Sequence, residues 1–177
     1  MALVLGVDPG LTRCGYGLVD TKKQEARAFG LFQSLPNTDP RDRVGSIAAE
    51  LEDLVKKTKP EMIALERVFA QANLRSVMGV AQVSGALMSI AYREQIPLQF
   101  FTPSEVKAAV TGNGRATKEQ VGMMVANILK LTEVPRPADV ADALAVALCA
   151  AKRGVGVGTS AQQKWVAAAK AASRRLG

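Results

Sequence analysis

The sequence contains no histidine, and only two of its 177 residues are cysteines. Without histidine, Ser-His and Cys-His nucleophile pairs and His-containing metal sites cannot form. Cys14 and Cys149 fall in different predicted elements, a strand and a late apolar helix, which favours two buried thiols over a disulfide. Any metal ion must therefore be held by oxygen ligands, and this favours Mg²⁺ or Mn²⁺.

The chain also lacks a long hydrophobic run, and its N-terminus predicts a strand rather than a signal peptide. Its longest uncharged stretch, Ser76 to Tyr92, contains three serines, a glutamine and two glycines, so it does not predict a membrane span. A length of 177 residues with 48% hydrophobic content predicts one soluble globular domain. We expect a cytoplasmic protein without a membrane partner.

Acidic residues are absent from the end of the chain. Beyond Ala151 there are six basic residues and no acidic ones, so residues 1–151 carry only +1 of the net charge of +7. A glycine-rich segment follows Arg153, which predicts one folded domain over residues 1–152 and a flexible basic tail over 153–177. A basic total favours a polyanionic partner, although the tail alone accounts for most of that charge.

Short apolar runs bounded by turn residues predict five strands, at residues 3–8, 11–20, 26–34, 62–65 and 98–101. The close spacing of the first three indicates an antiparallel meander. Helical patterns follow at residues 39–57, 73–93, 117–131 and 139–151, with a short helix from Thr102 that ends at the glycines near 112. The helix over 73–93 is apolar nearly all round, so we expect one side on the sheet and another at a partner subunit.

Four carboxylates fall at positions that are typical of active-site residues. Asp8 and Glu66 each end a buried strand, while Asp139 and Asp142 are three residues apart on one helix face. Three of them have a simpler explanation: Asp8 can cap the turn at Pro9, and Asp139 and Asp142 can cap the helix N-terminus. Because ligand sites in α/β folds gather at the carboxyl ends of strands, convergence of all four is the alternative.

Converged carboxylates require cations. Two unit charges about 4 Å apart repel by roughly 4 kcal/mol at an effective dielectric constant near 20. Divalent metals remove this repulsion, and paired ions about 4 Å apart support in-line displacement at phosphorus, with one ion activating the attacking water. The pattern therefore indicates two-metal phosphoryl chemistry.

The chain resembles the RuvC-type Holliday junction resolvases, the crossover junction endodeoxyribonucleases of bacterial recombination. The resemblance covers residues 1 to about 151. Five stretches carry it: Gly6 to Gly17 (GVDPGLTRCGYG), Leu65 to Phe69 (LERVF), Pro103 to Lys107 (PSEVK), Gly112 to Lys118 (GNGRATK) and Asp139 to Ala145 (DVADALA). It implies an α/β, ribonuclease-H-like fold, in which helices flank a mixed five-stranded sheet made of an antiparallel meander plus parallel strands.

The resemblance also implies a homodimer that makes paired symmetric nicks in four-way junction DNA, works with a branch-migration motor complex and uses about two Mg²⁺ or Mn²⁺ ions per site. It assigns catalysis to Lys118. It assigns both metal binding and catalysis to four carboxylates, Asp8, Glu66, Asp139 and Asp142. It assigns DNA contacts to a further set: Phe69, Asn73, Arg75, Lys107 and Arg115. Gln71 and Ala72 depart from the lysine that many relatives carry in this loop, which places one DNA contact in doubt.

Two other functions are compatible with the sequence. A ribonuclease-H-type nuclease acting on RNA–DNA hybrid would use the same fold and carboxylates. A non-catalytic junction-binding protein is disfavoured because all four carboxylates are present. An actin-like ATPase, which also opens with an Asp-x-Gly strand, is disfavoured by length because it requires two such domains.

Overall fold

The structure, a computed structural model, describes residues 3–67 and 74–153, with the side chains of 74–76 excepted. Its strands are β1 (Leu3–Asp8), β2 (Arg13–Asp20), β3 (Glu25–Gln33), β4 (Met62–Glu66) and β5 (Leu98–Phe101). Its helices are α1 (Pro40–Thr58), α2 (Leu74–Arg93), α3 (Pro103–Thr111), α4 (Lys118–Ile128) and α5 (Ala138–Arg153).

The five strands form one sheet in the order β3-β2-β1-β4-β5. β1, β2 and β3 are antiparallel neighbours, whereas β4 is parallel to both β1 and β5. The predicted meander and the mixed five-stranded sheet are therefore confirmed. Because β1 and β4 are parallel neighbours, their carboxyl ends meet at one edge of the sheet.

The two faces of the sheet carry separate cores. On one face, Leu5 and Val7 pack with α1 and α2 through residues such as Leu51 and Leu87. On the other face, residues of α3, α4 and α5 form the second core, and eight consecutive residues of α5, from Ala143 to Ala150, are buried. α5 is therefore the central helix, and its position determines what lies near the sheet edge.

Glycines allow α5 to approach the sheet closely. A Cβ atom on Gly6 would overlap the backbone of α5 at Ala143, and one on Gly15 would overlap the carbonyl oxygen of Asp139. Both glycines face α5 because side chains alternate along a strand. The backbone of α5 thus lies directly on β1 and β2, where any side chain would separate them.

Local sequence explains where the helices begin. Asp39 accepts a hydrogen bond from the backbone N–H of Arg41, and Thr102 and Thr117 each form a capping box with the residue three positions later. The Thr117 cap makes Lys118 the first residue of α4. α4 ends at Ile128 rather than near Leu131, because Lys130 turns into left-handed geometry with φ of 54°.

The two cysteines are in the state that the sequence predicts. Cys14 and Cys149 are buried free thiols, as predicted.

α5 ends at Arg153, and the tail from residue 154 lies outside the described residues, so the division at 152/153 stays a prediction. Within the described ranges, none of the helices is long and apolar enough to cross a membrane.

Candidate active site

The carboxyl ends of β1 and β4 place two carboxylates side by side. Val7 pairs with Leu65 in the parallel ladder, so Asp8 and Glu66, the next residues, leave the sheet together. Alternation along each strand directs both toward the α5 face, since Val7 and Leu65 pack on the opposite core. Both side chains are half-buried.

The first turns of α5 supply the other two carboxylates. Asp139 and Asp142 lie near the N-terminus of the helix, above the edge where β1 and β4 end. The close approach at Gly15 brings the backbone of Asp139 onto β2. The structure therefore brings together the four carboxylates that the sequence analysis singled out, and it does so from three separate elements.

The pKa of Asp8 shows the electrostatic interaction among the four carboxylates. The pKa of Asp8 is raised to about 7, first because the carboxyl group is buried and then because of the negative charges of the other three carboxylates. Burial and the charge of Asp142 also raise the pKa of Glu66, whereas Lys118 and Lys107 lower it. The four groups thus form one interacting set rather than four isolated turn or cap residues.

Two basic residues bond directly to this set. Nζ of Lys118 donates to Oδ2 of Asp142 at 2.9 Å, and this hydrogen bond is the main reason why the pKa of Lys118 is raised. Nη2 of Arg13 donates to Oδ2 of Asp139 at 2.6 Å. The sequence analysis missed Arg13, because its partner lies 126 positions away and no local pattern connects them.

The chemistry of the donor set fits a hard divalent cation. All four groups are carboxylates, the ligands that Mg²⁺ and Mn²⁺ prefer, and the pKa of Asp8 is raised first by burial and then by the negative charge of the other three, which a cation would relieve. In their present positions, however, no three acidic or sulfur side chains of the described residues are grouped to hold an ion. Arg13 and Lys118 each bond to one oxygen of a carboxylate, Oδ2 of Asp139 and Oδ2 of Asp142.

The predicted DNA-contacting residues are placed unevenly. Lys107 is partly exposed on α3 and acts on the charge of Glu66, whereas Arg115 is exposed in the turn before α4. Phe69 and Asn73 lie outside the described residues, and of Arg75 only the backbone within α2 is described. Lys107 and Lys118 are therefore the predicted basic residues that the structure brings to the carboxylates.

The fold and the site together define a ribonuclease-H-like nuclease with an acidic centre at the edge of a mixed sheet. The family model for "Crossover junction endodeoxyribonuclease RuvC" matches residues 4–150. The chain belongs to this family, whose nucleases are metal-dependent.

Curated relatives agree with the family match. The crossover junction endodeoxyribonuclease RuvC of Frankia alni is 51% identical over 154 residues, which cover 85% of this chain and 78% of the relative. The RuvC of Saccharopolyspora erythraea is 45% identical over 175 residues, which cover 97% of this chain and 88% of the relative.

Solved structures give the same result for the fold. Thermus thermophilus RuvC matches with a TM-score of 0.79 and 34% identity, covering 84% of this chain and 93% of that one. T. thermophilus RuvC in complex with a Holliday junction substrate matches with a TM-score of 0.80 and 35% identity, covering 85% and 93%. The expectation of a ribonuclease-H-like fold is confirmed.

Proposed function

We propose that this chain resolves four-way DNA junctions by paired, metal-assisted hydrolysis of phosphodiester bonds, in recombination and DNA repair. The observation that carries the proposal is the meeting of Asp8, Glu66, Asp139 and Asp142 at one edge of the sheet, with Lys118 bonded to the group. Membership of the RuvC family, and the junction bound by T. thermophilus RuvC, support the choice of substrate.

The four carboxylates hold the metal in this proposal. Asp8, Glu66, Asp139 and Asp142 would hold Mg²⁺ or Mn²⁺, in our proposal two ions, and metal bound there would supply an activated water and stabilise charge on the scissile phosphate. Half-burial of Asp8 and Glu66 limits access of bulk water, so charges at this edge interact more strongly than on an open surface. The side chains on α5 and on the strands are held by rigid elements, which favours a fixed geometry.

Basic residues position the DNA strand in the proposal. Lys118 begins α4 beside Asp142, where its ammonium group can leave that carboxylate and approach the scissile phosphate. Lys107 acts on the charge of Glu66 and Arg115 is exposed before α4, and we assign both to phosphate contacts. We retain the DNA contacts of Phe69, Asn73 and Arg75 as parts of the proposal.

A homodimer places two such sites on opposed strands. The outer face of α2 is exposed and apolar: Met78 is 59% exposed, Met88 49% and Tyr92 77%, and open space surrounds Gly85 between them. The spacing of these residues follows one helix face, opposite to the face that Val83 and Leu87 bury. Two-fold pairing through this face matches the approximate two-fold symmetry of a junction.

The rival functions lack comparable support. A nuclease for RNA–DNA hybrid would use the same carboxylates, but the family and the relatives are named for crossover junctions.

We place the protein in the cytoplasm, with its DNA substrate, and propose that a branch-migration motor complex is its partner there.

The test is cleavage of a synthetic mobile junction, with each of its four strands end-labelled in turn. We expect symmetric nicks on two opposed strands with Mg²⁺ or Mn²⁺, none in EDTA and none with Asp8→Asn. An RNA–DNA hybrid of the same length serves as the competing substrate. Faster cleavage of the hybrid than of the junction would reject the proposal, and so would undiminished cleavage by Asp8→Asn.

A further inference from the structure

Arg13 is placed at the acidic site by the sheet itself. It is the first residue of β2 and lies on the face of the sheet that α5 covers, two positions before Gly15. Since the backbone of α5 touches β2 at Gly15, the side chain of Asp139 comes within reach of Arg13. The resulting ion pair, 2.6 Å long, joins the start of a strand to the start of the central helix.

The segment that carries Arg13 is anchored on its other side. Arg43, in the first turns of α1, donates to Oγ1 of Thr12 at 2.7 Å and to Oγ of Ser34 at 3.0 Å. The backbone N–H of Ser34 in turn donates to the carbonyl oxygen of Thr12 at 3.2 Å. These bonds fix the backbone next to Arg13, so the guanidinium is presented to Asp139 from a defined position.

The ion pair competes with the use of Asp139 as a metal ligand. The four carboxylates carry −4 when ionised, and the two bonded cations, Arg13 and Lys118, reduce this to −2. Arg13 occupies Oδ2 of Asp139, and its positive charge would oppose a divalent cation held by the same carboxylate. Its side chain is 45% exposed and has room to turn away into solvent.

We propose that Arg13 is an internal counter-ion of Asp139, which stabilises the metal-free site and must leave this carboxylate before a divalent cation can use it. The inference rests on the proposed function, because it takes Asp139 as a metal ligand. Arg13 thereby weakens metal binding in the DNA-free protein. Arg13 is a positioning residue in this role, since it acts on the site through Asp139.

The test is a titration of the full-length, DNA-free protein with Mn²⁺, following bound ion by electron paramagnetic resonance. Arg13→Gln should bind Mn²⁺ about tenfold more tightly than wild type, the size expected when one partly exposed positive charge near a divalent cation is removed. Arg13→Lys keeps the charge and should stay close to wild type. Equal or weaker binding by Arg13→Gln would overturn the proposal.

Arg27→Gln is a matched control. Arg27 forms an ion pair with Asp20 at 2.8 Å, and its side chain is 43% exposed, close to the exposure of Arg13. Asp20 lies opposite Leu3 in the sheet, at the other end of β1 from Asp8. This variant loses an ion pair of similar geometry and should leave Mn²⁺ affinity unchanged. If wild type and all variants fail to bind Mn²⁺, the proposed metal site itself is wrong, which is a different outcome.

A second measurement uses the wild-type protein and does not depend on the folding of a variant. Titration with Mg²⁺ should move the side-chain Nε–Hε signal of Arg13 in nuclear magnetic resonance spectra, because the guanidinium leaves Asp139. The corresponding signal of Arg27 should not move. An Arg13 signal that stays in place when Mg²⁺ is bound would overturn the proposal.

Discussion

Nζ of Lys118 lies 2.9 Å from Oδ2 of Asp142, which joins the first residue of α4 to the second carboxylate of α5. The lysine is 71% exposed, while the aspartate is only 20% exposed. The pair therefore has one partner held in the site and one that can move, and it connects the acidic centre to the solvent side where DNA would lie.

Replacing Lys118 should separate catalysis from binding. We expect Lys118→Gln to lower the single-turnover rate of junction nicking by about 10²–10³, because a positive charge near the scissile phosphate is lost. Junction affinity should change little, since many other phosphate contacts remain. Lys56→Gln, on the opposite face of the sheet, is the control for loss of one surface lysine. An equal loss of rate in both variants would contradict this role.

The raised pKa of Asp8 predicts how the stability of the metal-free protein depends on pH. Its pKa is about 7 in the folded protein, against about 4 in an unfolded chain, so the folded state binds more protons between these values. Stability should therefore fall as pH rises from 4 to 7. In EDTA, Asp8→Asn should melt roughly 5 °C above wild type at pH 8 and lose most of this difference at pH 4.

Asp53→Asn is the control for the pH experiment, because Asp53 is exposed and pairs with Lys57 far from the site. Parallel melting curves for wild type and Asp8→Asn across the pH range would show that the pKa of Asp8 is not raised in the folded protein. Asp142→Asn is a less direct test, because Lys118 would lose its partner at the same time.

Gly15 should not tolerate a side chain. A Cβ atom there would overlap the carbonyl oxygen of Asp139, so Gly15→Ala must push the start of α5 away from β2. We expect a loss of about 1–3 kcal/mol in the free energy of unfolding by urea, and a larger loss of cleavage than of junction binding. Gly45→Ala, in open space within α1, should instead stabilise by up to about 1 kcal/mol. Similar stability changes in both variants would contradict the close contact.

The outer face of α2 should control the oligomeric state. Met88→Asp places a charge within the proposed dimer face and should give a monomer in sedimentation experiments at micromolar concentration. Coordinated nicking of two strands should then be lost. Met123→Asp, on α4, changes a methionine of similar exposure, 52% against 49%, and should remain dimeric. A dimer that persists in Met88→Asp would move the interface elsewhere.

Most of the fold was predictable because its signals are local. Each strand is a short apolar run closed by turn residues, and α1, α3 and α4 each begin at a capping residue. The boundary that differed most, the end of α4, depends on the left-handed turn at Lys130, and no glycine or asparagine stands at that position to predict it. The sheet order required the packing of β4 against β1, which is a contact between distant segments.

The sequence by itself determined the chemistry of the protein: no histidine, four carboxylates at element ends, and a lysine placed first in α4 by the Thr117 cap. Only the tertiary structure decided which cations meet these carboxylates. Glycines on β1 and β2 let α5 lie directly on the sheet, and this approach brings Asp139 to Arg13 across 126 positions of chain. An ion pair depends on distance in space, which no local pattern in the sequence records.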